Sequence, residues 1–230
     1  MNILSISKRL VQRVVPLKYQ LPILYCLYSV GSTVEQELLN LEKIVKTRKE
    51  GIAVDIGANV GYWSLKMANL FPVVHAFEIN PELTQSLRAW ANSRVIIHNF
   101  GLSDRIAPLQ TLYIPVSNGL RLHGWASIEK RLLDFTDEFD EIQFPVKTLD
   151  SFKLTNVSFI KIDVEGHELA VLTGAMETIK NSKPIMVIET ENEALQEVQK
   201  LLDGIGYREV LLEDIAGQAG DPQNHIFYPV

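Results

Sequence analysis

Two acids at the ends of apolar runs are the residues best placed to do chemistry in this chain. Residues 52–61 read Ile-Ala-Val-Asp-Ile-Gly-Ala-Asn-Val-Gly, so Asp55 sits at the tip of a short apolar stretch and a glycine-rich turn follows at once. A second apolar run, Val73–Phe77, ends in Glu78. Strand, Gly-rich turn, helix, strand and acid together hold a nucleoside: glycines let the backbone come close, and the carboxylate accepts hydrogen bonds from two ribose hydroxyls. The turn is G-x-N-x-G, built on Gly57, Asn59 and Gly61, and not the dinucleotide spacing G-x-G-x-x-G. A pyrophosphate needs close backbone approach at three glycine positions, and Asn59 occupies the middle one. A phosphate-free nucleoside tolerates that better. S-adenosylmethionine carries a ribose, an adenine and an amino-acid tail, and Asp55 could face its ammonium. The plainer alternatives are an ordinary strand-to-helix turn and, for Glu78, a helix-capping acid ahead of Asn80-Pro81.

The second rich segment is Phe159-Ile160-Lys161-Ile162-Asp163-Val164-Glu165-Gly166-His167-Glu168. On an extended strand Lys161, Asp163 and Glu165 share one face. Three charges on an otherwise apolar strand are costly to bury unless paired. In a parallel sheet, ligands sit at the carboxyl ends of the strands, which places Asp163 and Glu165 there, with His167 opening the next helix. Ile185–Glu189 is a further apolar run ending in an acid, so Asp55, Glu78, Asp163 and Glu189 line up on one rim, as in a polar cleft. Hard oxygen ligands at Asp163, Glu165 and Glu189, with His167, would suit a divalent cation. Charge balancing by Lys161 explains the same acids, and the reading assigns no metal. Trp125, ahead of Ala126-Ser127, either stacks on a flat ligand face or anchors its loop.

These residues need a frame. From Gly51 onward short apolar runs alternate with amphipathic stretches: 52–56 then 61–70, 73–77 then 81–92, 95–99, 157–163 then 167–181, 184–189 then 192–203. That predicts an α/β fold with a mostly parallel sheet covered by helices on both faces. The runs 207–212 and 225–229 follow each other with no helical pattern between, and predict an antiparallel pair at the sheet edge. Residues 104–148 break the alternation: Leu109–Val116 reads as a strand, and the acids Asp134, Asp137, Glu138, Asp140 and Glu141 read as a polar, partly helical stretch. An insertion there is where a substrate lid belongs. Residues 1–50 read as a helical appendage, with Ser32 or Thr33 capping a helix whose stripe is Leu38, Leu41 and Val45. The domain reading is therefore 1–50 and 51–230.

With 230 residues, 47% of them hydrophobic, the chain can bury a sizeable core. A net charge of −6 without a basic stripe argues against nucleic acid as partner. The single Cys26 precludes an internal disulfide and favours a cytoplasmic setting. No apolar run is long enough to span a bilayer. The basic residues Lys8, Arg9, Arg13 and Lys18 ahead of Leu21–Val30 loosely mimic a secretion signal, but Pro16 and Pro22 argue for a packed helix that allows at most peripheral membrane contact.

Val54–Gly61, Ala76–Pro81 and Ile160–Glu168 together resemble the FkbM family of S-adenosylmethionine-dependent O-methyltransferases. Weaker matches are Glu35–Leu38, Asn99–Asp104, Ala126-Ser127 and Thr148–Ser151. Together they extend over residues 33–190. Ile79 departs from the proline the family most often has there. The resemblance implies a Rossmann-like class I methyltransferase fold with a seven-stranded sheet. It also implies methyl transfer to a hydroxyl of a sugar, a polysaccharide or another small metabolite. By motif position, Asp55, Gly57, Asn59, Gly61 and Glu78 would hold the donor, Ser103 and Asp104 would lie near the adenine, and Asp163 would face the sulfonium end. An acceptor hydroxyl must lose its proton, so His167 or Asp163 is expected as base, with Glu165 orienting the acceptor and Lys161 stabilising charge. The rivals are a nicotinamide-dependent oxidoreductase and a nucleoside-binding module without chemistry.

Overall fold

The computed structural model describes residues 11, 13–30, 34–46, 48–117, 119–122, 126–128, 130, 136 and 138–230, with the backbone alone at 30, 192 and 193. The N-terminal helices are α1 (Leu17–Val30), α2 (Gln36–Leu39) and α3 (Leu41–Ile44). The alternating part follows as β1 (Ile52–Ile56), α4 (Tyr62–Leu70), β2 (Val73–Phe77), α5 (Pro81–Trp90) and β3 (Val95–His98). Next come β4 (Gly101–Leu102), β5 (Ala107–Ser117), β6 (Leu120–Arg121), β7 (Glu138–Lys147) and β8 (Val157–Ile162). The chain then forms α6 (Glu168–Thr173), α7 (Met176–Ser182), β9 (Ile185–Glu189), α8 (Asn192–Asp203), β10 (Tyr207–Val210), α9 (Leu212–Ala216) and β11 (Asn224–Pro229).

The main sheet has seven strands in the order β10-β11-β9-β8-β1-β2-β3. β1, β2, β3, β8 and β9 run parallel, and β11 is antiparallel to both β9 and β10. The period of two sorts each central strand onto two cores. Ala53, Phe159, Ile185 and Val187 face Trp63, Met67 and Phe71 of the α4 side. Val54, Ile160, Ile162, Met186 and Ile188 face Val171, Ile179, Val198 and Leu202 on the other. A sheet buried on both faces is why these runs read as continuous apolar blocks. It also fixes where charges can stand: Asp55 and Lys161 are register partners on the α4 face, and each is only 1% exposed.

Several expectations need correction. Glu138, Asp140 and Glu141 lie on strand β7, not in a helix: β7 pairs with β5 over eight residue pairs, and Leu112, Ile114, Val116, Phe144 and Val146 form a small core of their own beneath it. Strands β4, β5, β6 and β7 thus build a second, four-stranded sheet in the order β4-β7-β5-β6. The helix expected at 167–181 is two helices. Gly174 stands at the break, where a Cβ would fall 1.9 Å from the Ser103 carbonyl oxygen, so the chain must pass close there. Helix α9 intervenes between the two C-terminal strands. The stripe Leu38, Leu41 and Val45 is buried, but on two short helices separated at Asn40. Ser32, Thr33, Trp125, Asp134 and Asp137 lie outside the described residues.

Strand β8 ends at Ile162, so Asp163 and Glu165 belong to a turn and do not share a strand face with Lys161. The turn is packed against the glycine-rich turn after β1: Gly57 has φ +81°, and a Cβ on it would sit 1.7 Å from the Asp163 carbonyl oxygen. Gly57→Ala therefore forces two turns apart. We expect a loss of about 3 kcal/mol or more, a fall in Tm of roughly 6–12 °C, measured by calorimetry.

Candidate active site

β1, β2, β8 and β9 deliver Asp55, Glu78, Asp163 and Glu189 to one edge of the sheet. An open cleft lies there. Gly57, Asn59, Glu78, Asn80, Asp163, Glu165 and His167 line its sheet side. Leu112, Ala126, Ile128 and Phe144, from the second sheet and its loops, form an apolar wall, with Ser127 beside them.

The amides of the glycine-rich turn all donate inside the chain. Gly57 and Ala58 donate to the Phe77 carbonyl at 3.0 and 2.9 Å, and Gly61 donates to the Ala58 carbonyl at 2.9 Å. Asn59 donates to Glu78 Oε2 at 2.7 Å, and Val60 to Asn59 Oδ1 at 2.7 Å. An anion-binding turn works by aiming such amides at phosphate oxygens, and here none of the five is directed outward. Glu78 is clamped at both oxygens, since Oε1 accepts from the Asn80 amide at 2.7 Å. The carboxylate oxygens, with about four lone-pair sites between them, keep capacity for a hydroxyl. Burial raises the Glu78 pKa, and the amides of Asn80 and Asn59 hold it back. The Asn99 side chain donates to the carbonyls of Glu78 and Ile79, fixing the same corner. These residues fit a nucleoside that has ribose hydroxyls and no phosphate.

Asp55 and Gly61 do not line the cleft. Asp55 is enclosed behind the turn and accepts from Ser64 Oγ of α4 at 2.5 Å. Gly61, at φ +101°, caps α4 and packs against Leu87 and Trp90. Lys161 is also enclosed. Its Nζ meets Glu189 Oε2 at 3.3 Å and Asn224 Oδ1 at 3.0 Å, and lies 5.3 Å over the Trp63 ring. Burial opposes its charge, but Asp163, Glu35 and Glu189 outweigh that and raise its pKa. Lys161 is thus a cation beneath the rim and does not line the cleft. Asp163 is pushed up by burial first, with Glu189, Glu165 and Glu35 adding and Lys161 opposing.

Ser103 and Asp104 stand behind His167 and not among the cleft-lining residues. Ser103 Oγ donates to Asp104 Oδ1 at 3.0 Å and lies 2.9 Å from His167 Nε2. With the serine proton engaged by Asp104, its oxygen accepts from Nε2–H, an assignment made from the network. Nδ1 is then the basic nitrogen of the neutral ring. Glu165 has φ +53° and Gly166 φ +95°, a costly conformation for Glu165. It is held by buried Glu168, whose Oε1 accepts from the Gly166 amide at 2.8 Å, and by Ser127 Oγ, which donates to the Glu165 carbonyl at 3.4 Å. Among the described residues no group of three or more His, Cys, Asp or Glu could hold a metal ion.

Sequence reasoning missed three supports. Ser64 and Asn224 carried no signal, one lying inside an apolar helix and the other in a turn-rich stretch. Glu35 read only as a capping partner for Ser32 or Thr33 and as part of an upstream match; its Oε2 accepts from Trp63 Nε1 at 3.0 Å and from Asn224 Nδ2 at 3.1 Å.

Asp55 gives the site a pH signature. Burial pushes its pKa up to about 6, with Ser64 and Lys161 opposing. The folded state then keeps a proton that the unfolded chain releases near pH 4, so stability falls as pH rises from about 4 to 6. Asp55→Asn should remove about 3 kcal/mol of that decline, read by urea unfolding at several pH values.

The chain matches the family model described as the Methyltransferase FkbM domain over residues 55–209. It is 28% identical over 145 residues to Methyltransferase 1 of Beauveria bassiana (strain ARSEF 2860), an alignment covering 54% of this chain and 58% of that protein. The crystal structure of Methyltransferase FkbM from Methylobacillus flagellatus KT superposes with a TM-score of 0.51 at 19% identity, over 78% of this chain and 43% of that one. An rRNA methylase from Streptococcus thermophilus gives 0.49 at 13% identity, over 84% and 95%. The chain thus spans little more than half of its sequence relative and less than half of the first structure. A phosphate-free nucleoside cleft at the carboxyl edge of a Rossmann-like sheet, in a segment that one family model covers for most of its length, makes S-adenosylmethionine the cofactor and places this chain in the FkbM methyltransferase family.

Proposed function

We propose that this chain is an O-methyltransferase whose acceptor is a hydroxyl of a sugar, a polysaccharide or another small polyhydroxylated metabolite. The observation that carries the reading is the pair Asp163 and Glu165, which belong both to the donor cleft and to an adjoining recess of about 290 Å³. That recess is lined by Asp163, Glu165, Glu168, Glu189, Thr190 and Glu191. Carboxylates accept hydrogen bonds from hydroxyls and repel phosphates, which favours a neutral polyol over a nucleic-acid backbone. A cytoplasmic setting fits the single cysteine.

Bound S-adenosylmethionine supplies a methyl group already activated as a sulfonium, so the chain's part is to bind, align and deprotonate. Glu78 would hold the ribose hydroxyls, with Gly57 and Asn59 beside it in the cleft lining. The apolar wall of Leu112, Ile128 and Phe144 excludes water from the cleft. His167 takes the acceptor proton at Nδ1, with Ser103 and Asp104 as positioning residues that set its tautomer. Glu165 orients the acceptor. Asp163 remains the second candidate base, because burial makes its carboxylate more basic.

Three measurements check this. Incubation with radiolabelled S-adenosylmethionine and a panel of glycans, small polyols and RNA should label hydroxyl-bearing neutral acceptors; label confined to RNA would contradict the acceptor class. His167→Ala should lower kcat about 100-fold or more while leaving S-adenosylhomocysteine affinity within about threefold. Ser103→Ala should lower kcat about tenfold and shift the pH–rate profile. Full turnover in His167→Ala would shift the base to Asp163, which Asp163→Asn then tests.

A further inference from the structure

Residues 1–34 hold Lys8, Arg9, Arg13 and Lys18 and no Asp or Glu, whereas the whole chain carries −6. Within this basic stretch α1 is apolar on two sides. One side is covered: Leu21 and Leu24 are buried, and Tyr25 and Tyr28 meet Tyr62 at ring separations of 6.1 and 6.3 Å. The other side is not. Tyr19, Ile23 and Leu27 are spaced four apart and form one row, preceded by Val14 and Leu17. These five side chains are 37% to 66% exposed, and they are five of the eleven large apolar side chains exposed among the described residues. Four of them lie on α1 and Val14 just ahead of it, a concentration that marks a surface that something covers.

The charge says what. Arg13 and Lys18 stand at the start of the row, and Lys18 Nζ lies 5.6 Å over the Tyr19 ring. Apolar side chains beside cations, on a helix of 14 residues, suit a bilayer surface with anionic headgroups. The helix is too short to cross a bilayer, and no described helix is long and apolar enough to do so. A second copy of this chain fits less well, because the stretch 1–34 offers no Asp or Glu to meet Arg13 and Lys18.

We propose that the outer face of α1 docks the protein on an anionic membrane surface. Tyr19, Ile23 and Leu27 enter the boundary between headgroups and acyl chains, and Arg13 and Lys18 contact lipid phosphates. The side of α1 carrying Leu21, Leu24, Tyr25 and Tyr28 stays on the fold. This docking does not depend on the acceptor chemistry above.

Co-sedimentation of the full chain with phosphatidylcholine vesicles, with and without phosphatidylglycerol, tests it. The expected result is binding at least about tenfold stronger to the anionic vesicles, weakened by added salt. Ile23→Ser with Leu27→Ser, and separately Arg13→Gln with Lys18→Gln, should each cut that binding about tenfold or more. Both double variants should keep wild-type circular dichroism and S-adenosylhomocysteine binding, since the altered side chains are solvent-facing. Absence of sedimentation with either vesicle overturns the proposal, as does equal binding to both or wild-type binding by both double variants. A dimer that depends on Ile23 and Leu27, without vesicle binding, also overturns it and assigns the face to a second copy.

Discussion

The double clamp on the Glu78 carboxylate is the interaction on which the rest of the site depends. One oxygen takes the Asn59 amide and the other the Asn80 amide. The turn after β1 and the start of α5 are thereby fixed to the same side chain. The clamp also removes an amide from the turn that could otherwise have faced a phosphate. The neighbouring amides are drawn off by Phe77, Ala58 and the Asn59 side chain. Choice of donor class and local folding are in this sense one event: the hydrogen bonds that form the turn also make it a poor cradle for a pyrophosphate.

Beneath the rim the electrostatics run through Lys161. It is buried among carboxylates, and a lone buried cation is tolerated only where partners offset its desolvation. Glu189 and Asn224 contact it, and Asn224 passes the connection to Glu35, which also holds the Trp63 indole. The chain between α1 and α2 is thereby tied to the strands that carry Asp163 and Glu189. The acids on the cleft side and the N-terminal segment are parts of one charge-balanced unit, and removing any one member leaves another buried and unpaired.

Much of the fold was legible because both sheet faces are buried. The runs 52–56, 73–77, 157–163 and 184–189 are continuous apolar blocks closed by acids, and each is a central strand. The second sheet was hard to read because β7 is half solvent-facing and its acids, Glu138, Asp140 and Glu141, alternate with side chains that pack. Such a strand resembles a polar helix in composition. The cleft's named acids were legible from strand ends, and Gly57, Asn59, Glu78, Asp163, Glu165 and His167 do line it. Asp55 and Ser103 were expected at the donor from motif position and Lys161 beside the acceptor from its charge, yet none of the three lines the cleft. Sequence spacing locates a residue on an element but does not tell a cleft-facing charge from one whose partner, such as Ser64 or Asn224, comes from elsewhere in the chain.

Calorimetric titration of the wild-type chain with S-adenosylhomocysteine and, separately, with NADH tests the closed turn most directly. Inward-facing amides and the clamped Glu78 predict one S-adenosylhomocysteine bound per chain, with a Kd on the order of micromolar, and no heat with NADH. Tight NADH binding with no heat from S-adenosylhomocysteine would contradict the account.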